Sequence, residues 1–254
     1  MPLEPDATSD TRSHLPTDSL AWRVSARPVA IGLAVAVLGL SLASYAMHLA
    51  TRAADVGSIA ALDVGDEVSL PTWFGSGLFV VAALVLLVGR QRAISTGAPA
   101  RGWLSLAVVM LALSIDEAVS LHERLGSALR DMTGATGFFY YIWVFPALAF
   151  VAVVGVMQLR WLAALPSRTR TLLVLGGVVF VLGAAGLELL AGAGDEANGT
   201  ETLRSVTMTA VEELAEMAGL SIFIVALIDH LAGFRLHVDF AGFGAPDDEV
   251  RPQR

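Results

Sequence analysis

Apolar runs of about twenty residues alternate with short polar connections from Pro28 to the neighbourhood of Phe234. A helix that crosses a bilayer needs about 20 mainly apolar residues. Six segments reach that length, at about 28–50, 71–90, 102–123, 138–159, 171–192 and 206–230. The pattern predicts an all-α, polytopic membrane protein built as a six-transmembrane-helix bundle. The connections are short and there is no internal repeat, so residues 28–234 form a single six-helix transmembrane domain. Residues 1–27 are polar, with Pro2, Pro5 and Pro16, and are expected to be a disordered cytoplasmic tail. Residues 235–254 are expected to be a cytoplasmic C-terminal tail. The first apolar run starts too late and is too long for a signal peptide, and is read as the first span. Pro146 is expected to kink the fourth span by removing a backbone donor. Trp22, Trp73, Trp103, Tyr140, Tyr141 and Trp161 lie near span ends, as an aromatic belt would.

Two of the six runs are interrupted by charge. The third has an uninterrupted stretch of only fourteen residues, Gly102 to Ile115, before Asp116, Glu117, His122 and Glu123. The sixth has only twelve, Met217 to Ile228, between Glu212, Glu213 and Glu216 on one side and Asp229 and His230 on the other. Both fall short of about 20, so both spans are expected to take in carboxylates. A charge at bilayer depth costs about 2.5–3.5 kcal/mol on insertion scales, so such groups need a reason.

Arginine placement sets the orientation. All 16 basic residues are Arg, and twelve fall on one side: Arg12, Arg23, Arg27, Arg90, Arg92, Arg101, Arg160, Arg168, Arg170, Arg235, Arg251 and Arg254. The other side has Arg52, Arg124, Arg130 and Arg204. Positive residues favour the cytoplasm, which puts both termini inside and the carboxylates of the third and sixth spans in the outer half. At about 1.5 Å per residue, Glu212 and Glu213 lie roughly 10 Å below the outer face and Glu216 roughly 15 Å. Glu188 falls near the outer end of the fifth span. The expected location is the inner (plasma) membrane of a bacterium, crossed several times. Arg as the sole basic residue, with abundant Ala, Gly and Val, suggests a GC-rich bacterial genome.

Helical phase groups these residues further. At about 100° per residue, Glu212, Glu213 and Glu216 share an arc about 100° wide. Asp116 and Glu123 share a face, Glu117 points about 100° away toward Arg124, and His122 lies about 120° from Asp116. The most economical constellation is Asp116 and Glu123 with Glu212 and Glu216, joined by His122, Glu188 and Glu213. His122 would reach it at the rim or through a local π-bulge.

Composition narrows the choices. The chain is 55% hydrophobic and 16% charged, against about 25% charged in soluble domains. It has no Cys, hence no disulfide and no thiolate site. The net charge of −8 argues against nucleic acid as a partner. Gly-rich phosphate loops, Gly-x-Ser-x-Gly elbows and His-Glu-x-x-His pairs are absent from the sequence. The remaining partners are the lipid bilayer and an apolar small-molecule or lipid substrate.

Six or seven carboxylates in a low dielectric either bind cations or carry protons. Carboxylates and His on facing helices build di-metal sites in helical bundles. The first expectation is therefore a divalent metal (Zn, Mn or Fe) held by Asp116, Glu123, Glu212 and Glu216, with His122, Glu188 and Glu213 as further candidates. No Glu-x-x-His occurs, which weakens iron. Such a site could serve an enzyme on an apolar substrate, with metal-activated water. The alternatives are a proton- or cation-coupled transporter and a structural membrane subunit with solvated acids at its rim. His48 reads as an interfacial cap, Asp63, Asp66 and Glu67 as a solvated outer loop, His230 as a rim residue, and His14 and His237 as tail residues.

The runs Ser114-Ile-Asp-Glu-Ala-Val-Ser-Leu-His-Glu123 and Val211-Glu-Glu-Leu-Ala-Glu-Met-Ala-Gly219 resemble a combination found in uncharacterised bacterial multipass membrane proteins. The resemblance covers about 25 residues on two helices. It implies a shared polytopic architecture and no activity.

Overall fold

The computed structural model describes residues 25–66 and 68–232. The expected tails, with Trp22, His14 and His237, lie outside these residues, as does Glu67. The described residues are helical, with no strand among them: α1 (Ala26–Ala54), α2 (Leu70–Ser95), α3 (Arg101–Val119), α4 (Leu121–Thr133), α5 (Val144–Ala164), α6 (Ser167–Val181), α7 (Glu188–Asn198) and α8 (Leu203–Leu231). A π-helical segment, Leu182–Leu187, joins α6 to α7. Among the described residues, five helices are long and apolar enough to cross a membrane: α1, α2, α3, α5 and the continuous run Ser167–Asn198.

Local chemistry sets most boundaries. Ser69 accepts a bond from the Thr72 N–H ahead of α2, with Pro71 in the first turn, where its missing N–H costs nothing. Thr202 caps α8 in the same way through the Ser205 N–H. α1 stops at Asp55, in the left-handed region at φ 53°.

Two expectations from sequence are corrected. The third helix does not continue to residue 123: it ends at Val119, and Ser120 turns left-handed at φ 48° before α4 begins. Pro146 does not kink a span, because α5 starts at Val144 and the proline sits in its first turn. The preceding residues form a short 3₁₀ turn, Gly137–Phe139, and further turns.

α8 is the centre of the bundle, packed on α1, α2, α6 and the π segment, while α2 packs on α3 and α3 touches α5. Its inward face is apolar: Met217, Leu220, Phe223, Ile224 and Leu227 are buried against Phe79, Ala82 and Leu86 of α2. Lipid offers no hydrophobic drive for helices to associate, so close backbone approach between small residues does the work. A Cβ on Gly219 would lie 2.6 Å from the Phe180 nitrogen, and one on Gly176 would lie 2.6 Å from the Gly219 carbonyl. Glycine is therefore required at both sides of the α6–α8 crossing. The outward faces are apolar and exposed, as at Val35 (67%) and Val156 (69%). Contiguous apolar surface on this scale is uncommon in soluble proteins.

Candidate carboxylate site

The break at Ser120 is where the site begins. Ending α3 there frees backbone donors, and Asp116 takes one: the His122 N–H donates to Asp116 Oδ1 at 2.9 Å. The same carboxylate meets His122 Nδ1 at 2.9 Å through Oδ2. Asp116 and His122, 120° apart on a continuous helix, are thereby brought face to face. The sequence carried a signal for the break, since Ser120-Leu-His-Glu123 matches the Ser-x-x-Glu pattern of a helix start. Ser120 itself makes no side-chain cap; Asp116 fills that role.

From His122 a relay of contacts crosses to α7. The imidazole lies against the Trp143 ring, with centroids 4.6 Å apart. The Trp143 indole N–H donates to Glu188 Oε1 at 3.0 Å. Gly126 makes room for that indole, since a Cβ there would meet Trp143 Cδ1 at 3.0 Å. About two turns of α7 further on, the Tyr141 hydroxyl donates to Asp195 Oδ2 at 3.1 Å. Burial pulls the His122 imidazole down, but the bond to Asp116 and the charges of Asp116, Glu123 and Glu188 outweigh it, and the net direction is up. Burial, with Asp195 close by, pushes the Tyr141 phenol well up. Among the described residues, Glu188 Oε2 and Asp195 Oδ1 are buried without a hydrogen-bond partner.

A second group lies around a small cavity between α2, α3, α6 and α8. Glu117, Glu213 and Glu216 line it with Gly75, Phe79, Phe180, Met217 and Leu220. It leaves about 10 Å³ for the centre of a water-sized sphere, enough for about one water or one small ion. Glu213 and Glu216 are three apart on α8 and so share a face. Glu117 reaches them from α3 past Gly75, where a Cβ would lie 3.2 Å from Glu117 Oε1. Phe79 and Phe180 meet edge to face at 5.6 Å and form part of the apolar wall. Among the described residues, none of the three carboxylates has a hydrogen-bond donor or a basic ion-pair partner. His122 acts on both Glu117 and Glu213 as a favourable positive charge. Glu212 is not part of the cavity lining, and the charge acting on it most strongly is that of Glu188.

The grouping therefore differs from the constellation expected from phase. Asp116 pairs with His122, Glu123 is exposed on α4, Glu212 and Glu188 lie on the aromatic side, and Glu213 and Glu216 line the cavity. Glu117, expected to turn toward Arg124, is the α3 residue that lines the cavity. Among the described residues, no three His, Asp or Glu side chains form a set arranged to hold a metal ion. Sequence reasoning read Trp143 not at all and Tyr141 only as an aromatic-belt residue. Their roles as donors depend on the turn before α5, which hydropathy does not mark.

Other acidic residues lie apart. His48 meets Asp63 at 2.9 Å, and Ser44 accepts the Val64 N–H, tying the 55–69 connection onto α1. At the other end of α8, Asp229 lies 3.6 Å from Arg168, and His230 stacks on Trp103.

The chain belongs to the family described as domain of unknown function DUF8692, which matches residues 29–231. Neither a curated protein nor a solved structure matches the chain.

Proposed function

We propose that this chain is a six-span inner-membrane protein, both termini cytoplasmic, whose outer half binds a small cation in competition with protons. The observation that carries this reading is the cavity lined by Glu117, Glu213 and Glu216, carboxylates from two helices with no donor or basic partner among the described residues. Three such groups at bilayer depth need a counter-charge or protons. α8 is the sixth span in this reading, 29 residues long and central. The arginine asymmetry supports the orientation.

Hard oxygen ligands suit Mg or Mn, and Zn would call on His122 as well. Binding replaces protons: two carboxylic acids and one divalent ion give a chelate and two released protons. The test is a titration of detergent-purified protein with Mn²⁺ or Zn²⁺ in weak buffer, reading bound metal and proton release. Near-stoichiometric binding with proton release, lost in a Glu213→Gln/Glu216→Gln double variant, is the expected result. Neither binding nor release would overturn the metal site.

A second reading is proton-coupled transport. It is favoured by the spacing of the described side chains, of which no three form a metal-ligand set. It predicts proton flux into liposomes that Glu216→Gln abolishes. No flux under any imposed gradient would remove it, and a structural role for the acids would remain.

A further inference from the structure

The stretch between α3 and α5 leaves an apolar face without a protein partner among the described residues. At about 100° per residue, Leu121, Leu125, Ala128, Leu129 and Met132 of α4 share an arc about 100° wide. Glu123, Arg124, Ser127, Arg130 and Asp131 occupy the opposite side. The helix docks by the edge between these faces. His122 and Gly126 meet Trp143, while Arg130 sits 4.4 Å over the Tyr140 ring and donates to the Tyr140 carbonyl. Docked this way, α4 cannot bury its apolar arc: Leu125 is 47% and Met132 83% exposed.

Beside that arc lies a hollow of about 540 Å³, lined by Leu125, Leu129, Phe139, Ile142, Phe145 and Pro146. Its size is that of a small-molecule site, but such sites carry a few polar groups that fix orientation, and this lining has none. An occupant is therefore held by shape and apolarity alone. The hollow also opens at the start of a membrane-length helix. Exposed apolar surface continues from Phe145 through Leu148 and Val151 down α5 without interruption by charge.

We infer that α4 lies in the membrane interface and that this hollow holds an acyl chain of a lipid from the leaflet on that side. An amphipathic helix with its apolar face at the headgroup boundary is the arrangement that covers such an arc. α4 carries two arginines, Arg124 and Arg130, against Glu123 and Asp131. Its charges cancel, so recognition is of the chain and not of an anionic headgroup.

The chain has no cysteine, which makes single labels straightforward. The full protein is reconstituted in phosphatidylcholine vesicles containing a phosphatidylcholine with a photoactivatable acyl chain, and adducts are mapped by mass spectrometry. Adducts are expected to be several-fold denser on 125–146 than on the exposed face of α1 around Val35 and Leu42. Leu129→Trp, which fills the hollow, is expected to reduce the first and leave the second unchanged. A nitroxide at Met132→Cys, on the apolar arc but outside the lining, gives a measurement with the hollow intact: it is expected to be open to oxygen and shielded from a water-soluble nickel chelate, with Ser127→Cys the reverse. Equal adduct density on the two segments overturns the inference. So does a Met132 label reached freely by the chelate, or one shielded from both reagents, which marks a protein contact.

Discussion

Glu188 opens α7 and Glu216 lies midway along α8, and the fold treats the two carboxylates in opposite ways. Glu188 is met by a donor, the Trp143 indole, which itself lies tilted against an imidazole held by Asp116. Glu216 and its companions Glu117 and Glu213 line an apolar-walled cavity together, without a hydrogen-bond donor among the described residues. The first arrangement holds one oxygen of each carboxylate by a hydrogen bond, Glu188 Oε1 by Trp143 and Asp195 Oδ2 by Tyr141. The second has no hydrogen-bond donor or basic ion-pair partner among the described residues. Acidic residues at depth are therefore of two kinds here, and only those around the cavity carry a binding hypothesis.

The comparison breaks most readily at Trp143. Trp143→Phe keeps the ring against His122 but removes the donor to Glu188, and is expected to cost about 1–3 kcal/mol. Thermal unfolding in detergent should show the loss, while metal or proton binding at the cavity stays unchanged. A binding loss as large as the stability loss would mean that the two groups are one site. The cavity side is sharpened by Gly75→Ala. Its Cβ would lie 3.2 Å from Glu117 Oε1, so the carboxylate must give by a few tenths of an ångström. Mn²⁺ affinity should fall several-fold with little change in melting temperature, and unchanged affinity would take Glu117 out of the site.

The smallest effect is one of pH. His122 binds its proton more tightly in the folded chain, through Asp116, Glu123 and Glu188. Its pairing therefore stabilises fully below about pH 6.5, the unfolded value, and fades as pH rises through the higher folded value. His122→Gln should flatten the dependence of melting temperature on pH in that window. An unchanged slope would assign it to other groups.

Much of this was legible in the pattern of apolar residues. Helices cover the core of each expected segment, and five of them are long and apolar enough to cross a membrane; α8, with its carboxylates, is not among those five. The carboxylates of α8 were legible as a set because a regular helix fixes their phase. The α3 side was not, because phase arguments assume continuity, and Ser120 breaks it. That single left-handed residue exchanges partners, sending Asp116 to His122 on the far side of the turn. Glu117 is left to reach the cavity through the gap at Gly75, a contact between helices that no spacing within one helix reveals.

The π-helical segment at 182–187 carries a consequence for how one long helix can answer to two neighbours. On its near side, Gly176 fixes the rotation of the helix against Gly219; on its far side, Glu188 is fixed by Trp143. A π turn inserts one residue, an offset of about 100° in facing. The helix therefore has two independent settings, and the segment between them acts as a coupling, letting the tight crossing and the charged end each keep its own alignment.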